Sequence, residues 1–268
     1  MSVHSVSLKG KRESNEDKHI IKTNLSGQNK NMNNINFYGI YDGHGGKFVS
    51  KFLSNNLHNF FVDKRVKYPL KKSYVNDAYN CIQNILENKY GKQSHSCGST
   101  SLVSLQYKDS NNNNYINILN TGDSRCVLCR NNISYPLTKD HKPAAPEEKN
   151  RIEQLGGKIY YDGYDWRIND LSVSRAFGDN ESKKYVTHIP DLYKYKLSKN
   201  DKFIVMACDG LWDVMENQDV VDFVLNKCYD MNTGKKLNKK INIAKQLAEH
   251  AINIGSTDNI TSLVVFFN

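Results

Sequence analysis

Ile35-Asn-Phe-Tyr-Gly-Ile-Tyr41 runs directly into Asp42-Gly43-His44-Gly45-Gly46, and Phe48, Phe52, Leu53, Leu57, Phe60 and Phe61 then recur at helical spacing. The stretch reads as a strand, an Asp-Gly turn and a helix over 48–61. Residues 203–208 repeat the pattern, an apolar strand ending on Asp209-Gly210-Leu211-Trp212-Asp213. Outward from these two, residues 6–8, 100–107, 115–120, 126–130, 133–137 and 260–267 read as strands. Residues 74–90, with Ala78, Ile82, Ile85 and Leu86 on one face, read as a second helix, and 220–228 and 241–254 as two more. A short helix over 146–155 has Pro146 at its start, Glu147 and Glu148 in its first turn, and Gly156-Gly157 as its stop. Strand pairs, then helix pairs, then strands again argue for an α+β protein with antiparallel sheets rather than a βαβ repeat.

A chain of 268 residues fits one large domain or two small ones. No Pro/Gly/Ser-rich linker or internal repeat divides it, so residues 1–268 read as a single domain. The mean hydropathy of −0.66 is low for a folded chain, but 34 asparagines carry much of that deficit. Asn is polar without the self-repulsion that drives disorder. The Asn-rich segments 27–34 and 110–114 read as hairpin loops. No apolar run approaches the roughly 18 residues of a membrane-spanning helix. The N-terminus has no basic and apolar leader, Ser2 stands where myristoylation needs glycine, and no prenylation box ends the chain. The expectation is a soluble intracellular monomer, cytoplasmic or nuclear, without membrane contact.

Cys81, Cys97, Cys126, Cys129, Cys208 and Cys228 have no framework spacing. Cys126-Val-Leu-Cys129 is formally a CxxC, but residues three apart in a strand face opposite sides, so buried structural thiols are expected. The net charge of +9 suits anionic partners. The clusters Lys64-Arg65, Lys71-Lys72, Lys235-Lys236 and Lys239-Lys240 are dispersed with few aromatics between them, so a solvated basic surface is expected and no nucleic acid. The Lys-rich segment 234–240 reads as a solvated loop, with a partner patch as the alternative.

The acidic residues carry the chemistry. Asp42 and Asp209 end strands, Asp123 sits between two strands in Gly122-Asp123-Ser124-Arg125, and Asp258 in Asp258-Asn259 immediately precedes the last strand. A single Asp-Gly is a turn signal. Four such carboxylates at strand ends beside glycine or small residues point to a cation site, because a ligand approaches closely there. Hard cations such as Mg2+ and Mn2+ take oxygen ligands, and converging carboxylates repel without one. Near the N-terminus, Arg12 offers a fork suited to phosphate, and Glu16 and Asp17 stand ready to orient water on a metal.

Taken in order, these motifs together with Gly98-Ser99-Thr100, Asp140-His141-Lys142-Pro143 and Leu171-Ser-Val-Ser-Arg175-Ala-Phe-Gly178-Asp179 resemble the PP2C (PPM) family of metal-dependent protein serine/threonine phosphatases, over about residues 3–267. The resemblance implies a sandwich of two antiparallel β-sheets with helices on both outer faces, and a metal centre at one end. It implies that Asp42 bridges two Mn2+ or Mg2+ ions, with Gly43 giving its carbonyl to one and Asp209 and Asp258 binding the other. Asp123 and Asp213, with Asp209, match positions of a weaker third ion, and Glu16 and Asp17 match acids near the metal waters. Arg12 is then the phosphate ligand and His44 the proton donor to the leaving oxygen. The implied reaction is hydrolysis of phosphoserine and phosphothreonine in phosphorylated proteins by a hydroxide shared between the two ions. No Cys-x5-Arg loop is present, consistent with a route that needs no phosphoenzyme. Aromatic residues 160–166 fall where the family has a variable flap, and read either as a packed loop or as a substrate selector. A phosphoprotein-binding pseudophosphatase is disfavoured by the presence of Asp42, Asp209 and Asp258, and a two-metal nuclease by the lack of a basic groove.

Overall fold

A computed structural model of the chain describes residues 2–25, 35–62, 66–230, 232–237 and 240–267. The expected hairpin loop at 27–34, the pair Lys64-Arg65 and Lys239 lie outside these residues. In chain order, β1 (Ser2–Leu8), β2 (Lys18–Leu25), β3 (Ile35–Tyr41) and β4 (Gly43–His44) lead into α1 (Phe48–Asn56) and α2 (Lys72–Tyr90). Next come β5 (Gly98–Ser99), β6 (Ser101–Lys108), β7 (Asn114–Thr121), β8 (Arg125–Arg130), β9 (Ile133–Pro136) and α3 (Pro146–Gln154). The strands β10 (Tyr160–Tyr161), β11 (Trp166–Arg167), β12 (Phe177–Gly178), β13 (Asp191–Lys196) and β14 (Asp201–Ala207) follow. The chain closes with α4 (Asp209–Trp212), α5 (Asn217–Cys228), α6 (Ile243–Asn253) and β15 (Ile260–Phe266).

Two five-stranded antiparallel sheets form the body, ordered β1-β15-β14-β8-β9 and β13-β7-β6-β3-β2. Their inner faces share one core, where Tyr38, Ile40, Leu102, Ile116 and Ile118 of the second sheet meet Cys126, Leu128, Ile204, Met206, Leu263 and Val265 of the first. The first sheet's outer face packs Phe203, Val205, Val264 and Phe266 against Val220, Val224, Ile243 and Leu247 of α5 and α6. The second packs Phe37, Val103 and Leu105 against Val49, Leu53, Tyr79 and Ile82 of α1 and α2. Central strands are therefore buried on both faces, and β14 and β15 carry unbroken apolar runs over 203–207 and 263–266. Each large side chain buried there contributes about 1.5–3 kcal/mol of transfer free energy. Cys126 and Cys129 fall in the inner and outer cores respectively, as strand alternation requires. Among the described residues no helix is long and apolar enough to cross a membrane.

The departures from the sequence reading have local causes. The expected helix over 48–61 stops as α at Asn56 and finishes as a 3-10 turn, Leu57–Phe61. Asn56 Nδ2 donates to the Phe52 carbonyl at 2.8 Å, competing with the helical ladder. The strand expected at 6–8 extends back to Ser2, because every residue of β1 pairs with β15. β2 and β13 escaped the sequence reading. Both are sheet edges whose exposed faces carry Lys and other polar residues, so their apolar signal is diluted.

A buried ionic network joins α3 to the second sheet. Arg175 Nη2 donates to Glu148 Oε1 at 2.6 Å and its Nη1 to Asp191 Oδ1 at 2.9 Å. Arg151 binds the other Glu148 oxygen at 2.8 Å, and His141 Nε2 reaches Asp191 Oδ2 at 3.2 Å. Arg175 thus ties elements together instead of lining the site. Removing one partner of a buried pair costs about 3–5 kcal/mol, and Arg175→Met is expected to lose close to that in urea unfolding. Hydrogen bonding from His141, and then the Arg175 charge, hold the Asp191 carboxyl well below the usual range. Its contribution to stability is therefore present above the unfolded carboxyl value near 4 and lost as pH falls through the lower folded value. Asp191→Asn should flatten that acid limb of the stability profile.

Candidate active site

Strand ends from both sheets deliver carboxylates to one cavity of about 510 Å3. Asp42 follows β3, Asp123 turns between β7 and β8, Asp209 opens α4 after β14, and Asp258 stands just before β15. Oxygens of Asp42, Asp123 and Asp209 lie within 4.8 Å of one another. Arg12, Glu16, Gly43 and His44 line the same cavity. Asp17 and Asp213 do not line it. Asp17 is buried behind Asp42, with ligand atoms of Asp17, Asp42 and Cys208 within 4.8 Å. Asp213 sits one turn beyond Asp209, its N–H donating to the Asp209 carbonyl at 2.8 Å.

Each carboxylate is aimed by backbone bonds. The Asp42 N–H donates to Thr100 Oγ1 at 3.1 Å, and the Asp42 carbonyl accepts from the Thr100 N–H at 2.8 Å. A Cβ on Gly43 would come within 2.5 Å of the Glu16 carbonyl and 2.9 Å of Ser50 Oγ, so only glycine lets the chain pass. The Asp123 turn needs Gly122 at φ +104°. Buried His141 holds that turn from both sides, accepting from the Gly122 N–H and donating its own N–H to the Gly122 carbonyl, each at 3.1 Å. Asn259 clamps the loop that carries Arg12. Its Nδ2 donates to the Lys9 and Ser14 carbonyls at 2.8 Å each, and its Oδ1 accepts the Glu16 N–H at 2.8 Å.

The electrostatics are those of a site short of positive charge. Burial, then repulsion from Asp17 and Asp209, pushes the Asp42 carboxyl well above its ordinary range. Burial and Asp123 do the same to Asp209. Burial lifts Asp17 to about 6. Desolvation and Asp123 raise Asp213 against the opposing pull of Lys142. Two cations answer these charges. Arg12 Nη2 donates to Asp258 Oδ2 at 2.6 Å, joining the expected phosphate ligand to an expected metal ligand. The Lys142 ammonium lies 2.5 Å from Asp123 Oδ2. An all-oxygen donor set under mutual repulsion fits a hard divalent cation.

His44 has a partner that the sequence reading left without a role. Its Nε2 lies 2.7 Å from Asp179 Oδ2, and Asp179 is 2% exposed. Burial disfavours the imidazolium, but the Asp179 charge outweighs it and raises the His44 pKa. The small sheet β12-β5-β4 sets this geometry by pairing His44 with Gly98 and Gly178 with Gly98. A Cβ on Gly98 would collide with both Asp179 Oδ2 and His44 Nε2. Asp179, Asn259 and Lys142 all lie within quoted motifs, but a motif does not say which of its members face a cavity. The hairpin β10–β11 stands at the rim: Tyr160, Tyr161, Tyr164 and Trp166 are exposed, while Arg167 and Asp170 line the cavity. Lys236 of the 234–240 segment instead packs over the Phe266 ring at 3.7 Å. Asp179→Asn should lower the pH at which His44 titrates, followed by imidazole NMR, because the neutral amide no longer favours the imidazolium. Gly98→Ala should give the same change by forcing the pair apart.

The comparisons agree with the mixed, antiparallel fold. The sequence profile described as Protein phosphatase 2C matches residues 1–260. A PP2C-like domain-containing protein of Acanthamoeba polyphaga mimivirus is 47% identical over 169 residues, covering 57% of this chain and 94% of that protein. A probable protein phosphatase 2C of Arabidopsis thaliana is 37% identical, covering 97% of this chain but 65% of the relative. Among solved structures, a sex-determining protein of C. elegans superposes with a TM-score of 0.86 at 22% identity, over 100% of this chain and 65% of that one. The serine-threonine phosphatase 2C of Toxoplasma gondii superposes with a TM-score of 0.72 at 23% identity, over 100% and 99% of the two chains. The two structures share the fold. With the family model matched over residues 1–260 and the fold shared with these structures, the chain belongs to the protein phosphatase 2C family.

Proposed function

We propose that residues 1–268 work as one domain that hydrolyses phosphoserine and phosphothreonine in phosphorylated proteins, with Mn2+ or Mg2+ as cofactor. The observation that carries this reading is the convergence of Asp42, Asp123 and Asp209 within 4.8 Å in a cavity that also holds Arg12 and His44. Asp42 would bridge two ions, the Gly43 carbonyl would serve one, and Asp209 and Asp258 the other. Asp123 and Asp213, with Asp209, would take a weaker third ion. When bound, the ions would supply hydroxide at neutral pH and would neutralise charge on the phosphoryl oxygens. Glu16, on the cavity wall, and Asp17, behind Asp42, orient water around the ions. Arg12, with its guanidinium 60% exposed at the cavity mouth, takes the substrate phosphate as a bidentate, charge-assisted ligand. Since the same guanidinium contacts Asp258, phosphate binding and occupation of that carboxylate by a cation favour one another.

His44 holds the proton that the leaving oxygen needs. A serine or threonine alkoxide is a poor leaving group and must be protonated as the P–O bond breaks. Asp179 favours the charged form of His44 and orients the ring for that transfer. General-acid catalysis supplies roughly 10²–10⁴-fold. His44→Gln should therefore lower kcat by about that factor on a phosphothreonine peptide, and far less on p-nitrophenyl phosphate, whose leaving group is stable as an anion. Equal losses on both substrates at saturating Mn2+ would retire the proton-donor role.

The reading as a whole is tested by release of phosphate from a phosphothreonine peptide. Turnover is expected with added Mn2+ or Mg2+ and none with EDTA. Asp42→Asn should keep the fold by circular dichroism and fall below about a tenth of the wild-type rate, since a site for two dications loses its bridging charge. Metal-independent turnover would overturn the proposal.

A further inference from the structure

Lys142 takes no part in the reaction proposed above, yet its charge is set among the carboxylates. Its ammonium lies 2.5 Å from Asp123 Oδ2 and 3.7 Å from Asp165 Oδ2 on the β10–β11 hairpin. The Asp123 side chain is 1% exposed, and among the described residues Lys142 is the one basic group within ion-pairing distance of it. The main chain aims this contact. His141, just before, is bonded to Gly122 and to the Ser174 N–H, and the Lys142 carbonyl accepts the Ala145 N–H at 3.0 Å. A buried carboxylate beside Asp42 and Asp209 needs a counter-charge whether or not a metal is bound. An ammonium tethered to the protein competes with an ion from solution at a high effective concentration.

We propose that Lys142 is a built-in counter-cation of the Asp123 carboxylate, which holds the place of a divalent ion there and passes to Asp165 when the ion binds. This rests on the reading that Asp123, Asp209 and Asp213 hold a weaker third ion, and it supplies a physical cause for the weakness. The ion must displace a resident charge. Asp165, on the exposed hairpin, is the acceptor that makes the displacement tolerable, so occupancy at Asp123 and the position of the hairpin become linked.

The test is equilibrium Mn2+ binding, read from the free-ion signal in electron paramagnetic resonance, on metal-stripped protein. Asp123→Asn should abolish the weakest Mn2+ site. Lys142→Gln should tighten that same site about tenfold or more, since tenfold corresponds to about 1.4 kcal/mol of lost competition. Lys142→Arg keeps the charge and should restore weak binding. Asp165→Asn should weaken the site in the wild-type background and have little effect in Lys142→Gln, a coupling that a double-mutant cycle isolates. That variant touches only the hairpin, so it decides the matter even where Lys142→Gln folds poorly. If Asp123→Asn removes a Mn2+ but neither Lys142→Gln nor Asp165→Asn alters its affinity, the counter-cation role is wrong while the ion site stands. If Asp123→Asn removes none, the third-ion reading fails and the proposal with it. A raised KM for phosphopeptide with unchanged Mn2+ affinity would make Lys142 a substrate ligand and overturn the proposal.

Discussion

Gathering Asp17, Asp42, Asp123, Asp209, Asp213 and Asp258 at one end of two packed sheets sets like charges against one another in a partly dehydrated place. The chain accepts that cost because the carboxylates stand on backbone that cannot retreat. Asp42 follows a strand bonded on both sides, and Asp209 leaves a strand buried between β15 and β8. Repulsion in such a setting raises the affinity for a divalent cation instead of spreading the side chains apart. The same rigidity explains why the shared core between the sheets matters to the chemistry. It fixes the offset between strand ends that come from different sheets.

Around this charge cluster the structure spends small residues and buried polar groups. Gly43, Gly98 and Gly210 each stand where a Cβ would strike a neighbour, and each such approach brings a site residue into range. Thr100, His141 and Asn259 do their work with hydrogen bonds to main chain, so the loops carrying Asp42, Asp123 and Arg12 are held by the core's own interior. Positive charge meets the site carboxylates sparingly, through Arg12 on Asp258 and Lys142 on Asp123, while Arg167 at the rim is paired with Asp162. Arg175, by contrast, belongs to a separate network that secures α3 and β13, and its charge is consumed by Glu148 and Asp191.

The rim adds a surface of another kind. Tyr160, Tyr161, Tyr164 and Trp166 are exposed within seven residues of a hairpin whose next residue, Arg167, already lines the cavity. The Tyr161 and Trp166 rings pack at 5.5 Å, and Arg167 pairs with Asp162 across the hairpin.

The sequence by itself determined the mixture of elements, the antiparallel character and the acidic strand ends, because apolar periodicity and Asp-Gly turns are local properties. The central strands were legible since both faces are buried, which leaves continuous apolar runs such as residues 203–208. The edges β2 and β13 were not legible, because an edge is defined by its pairing partner and its own side chains are half polar. The site residues could be named from motifs, but which carboxylates share one cavity is a matter of long separations along the chain, such as the 216 residues from Asp42 to Asp258. Asp179 beneath His44, Asn259 beneath the Arg12 loop and Lys142 against Asp123 were decided only by the tertiary structure. Each acts through a contact with a residue remote in sequence, and no periodicity or local propensity encodes where such partners meet.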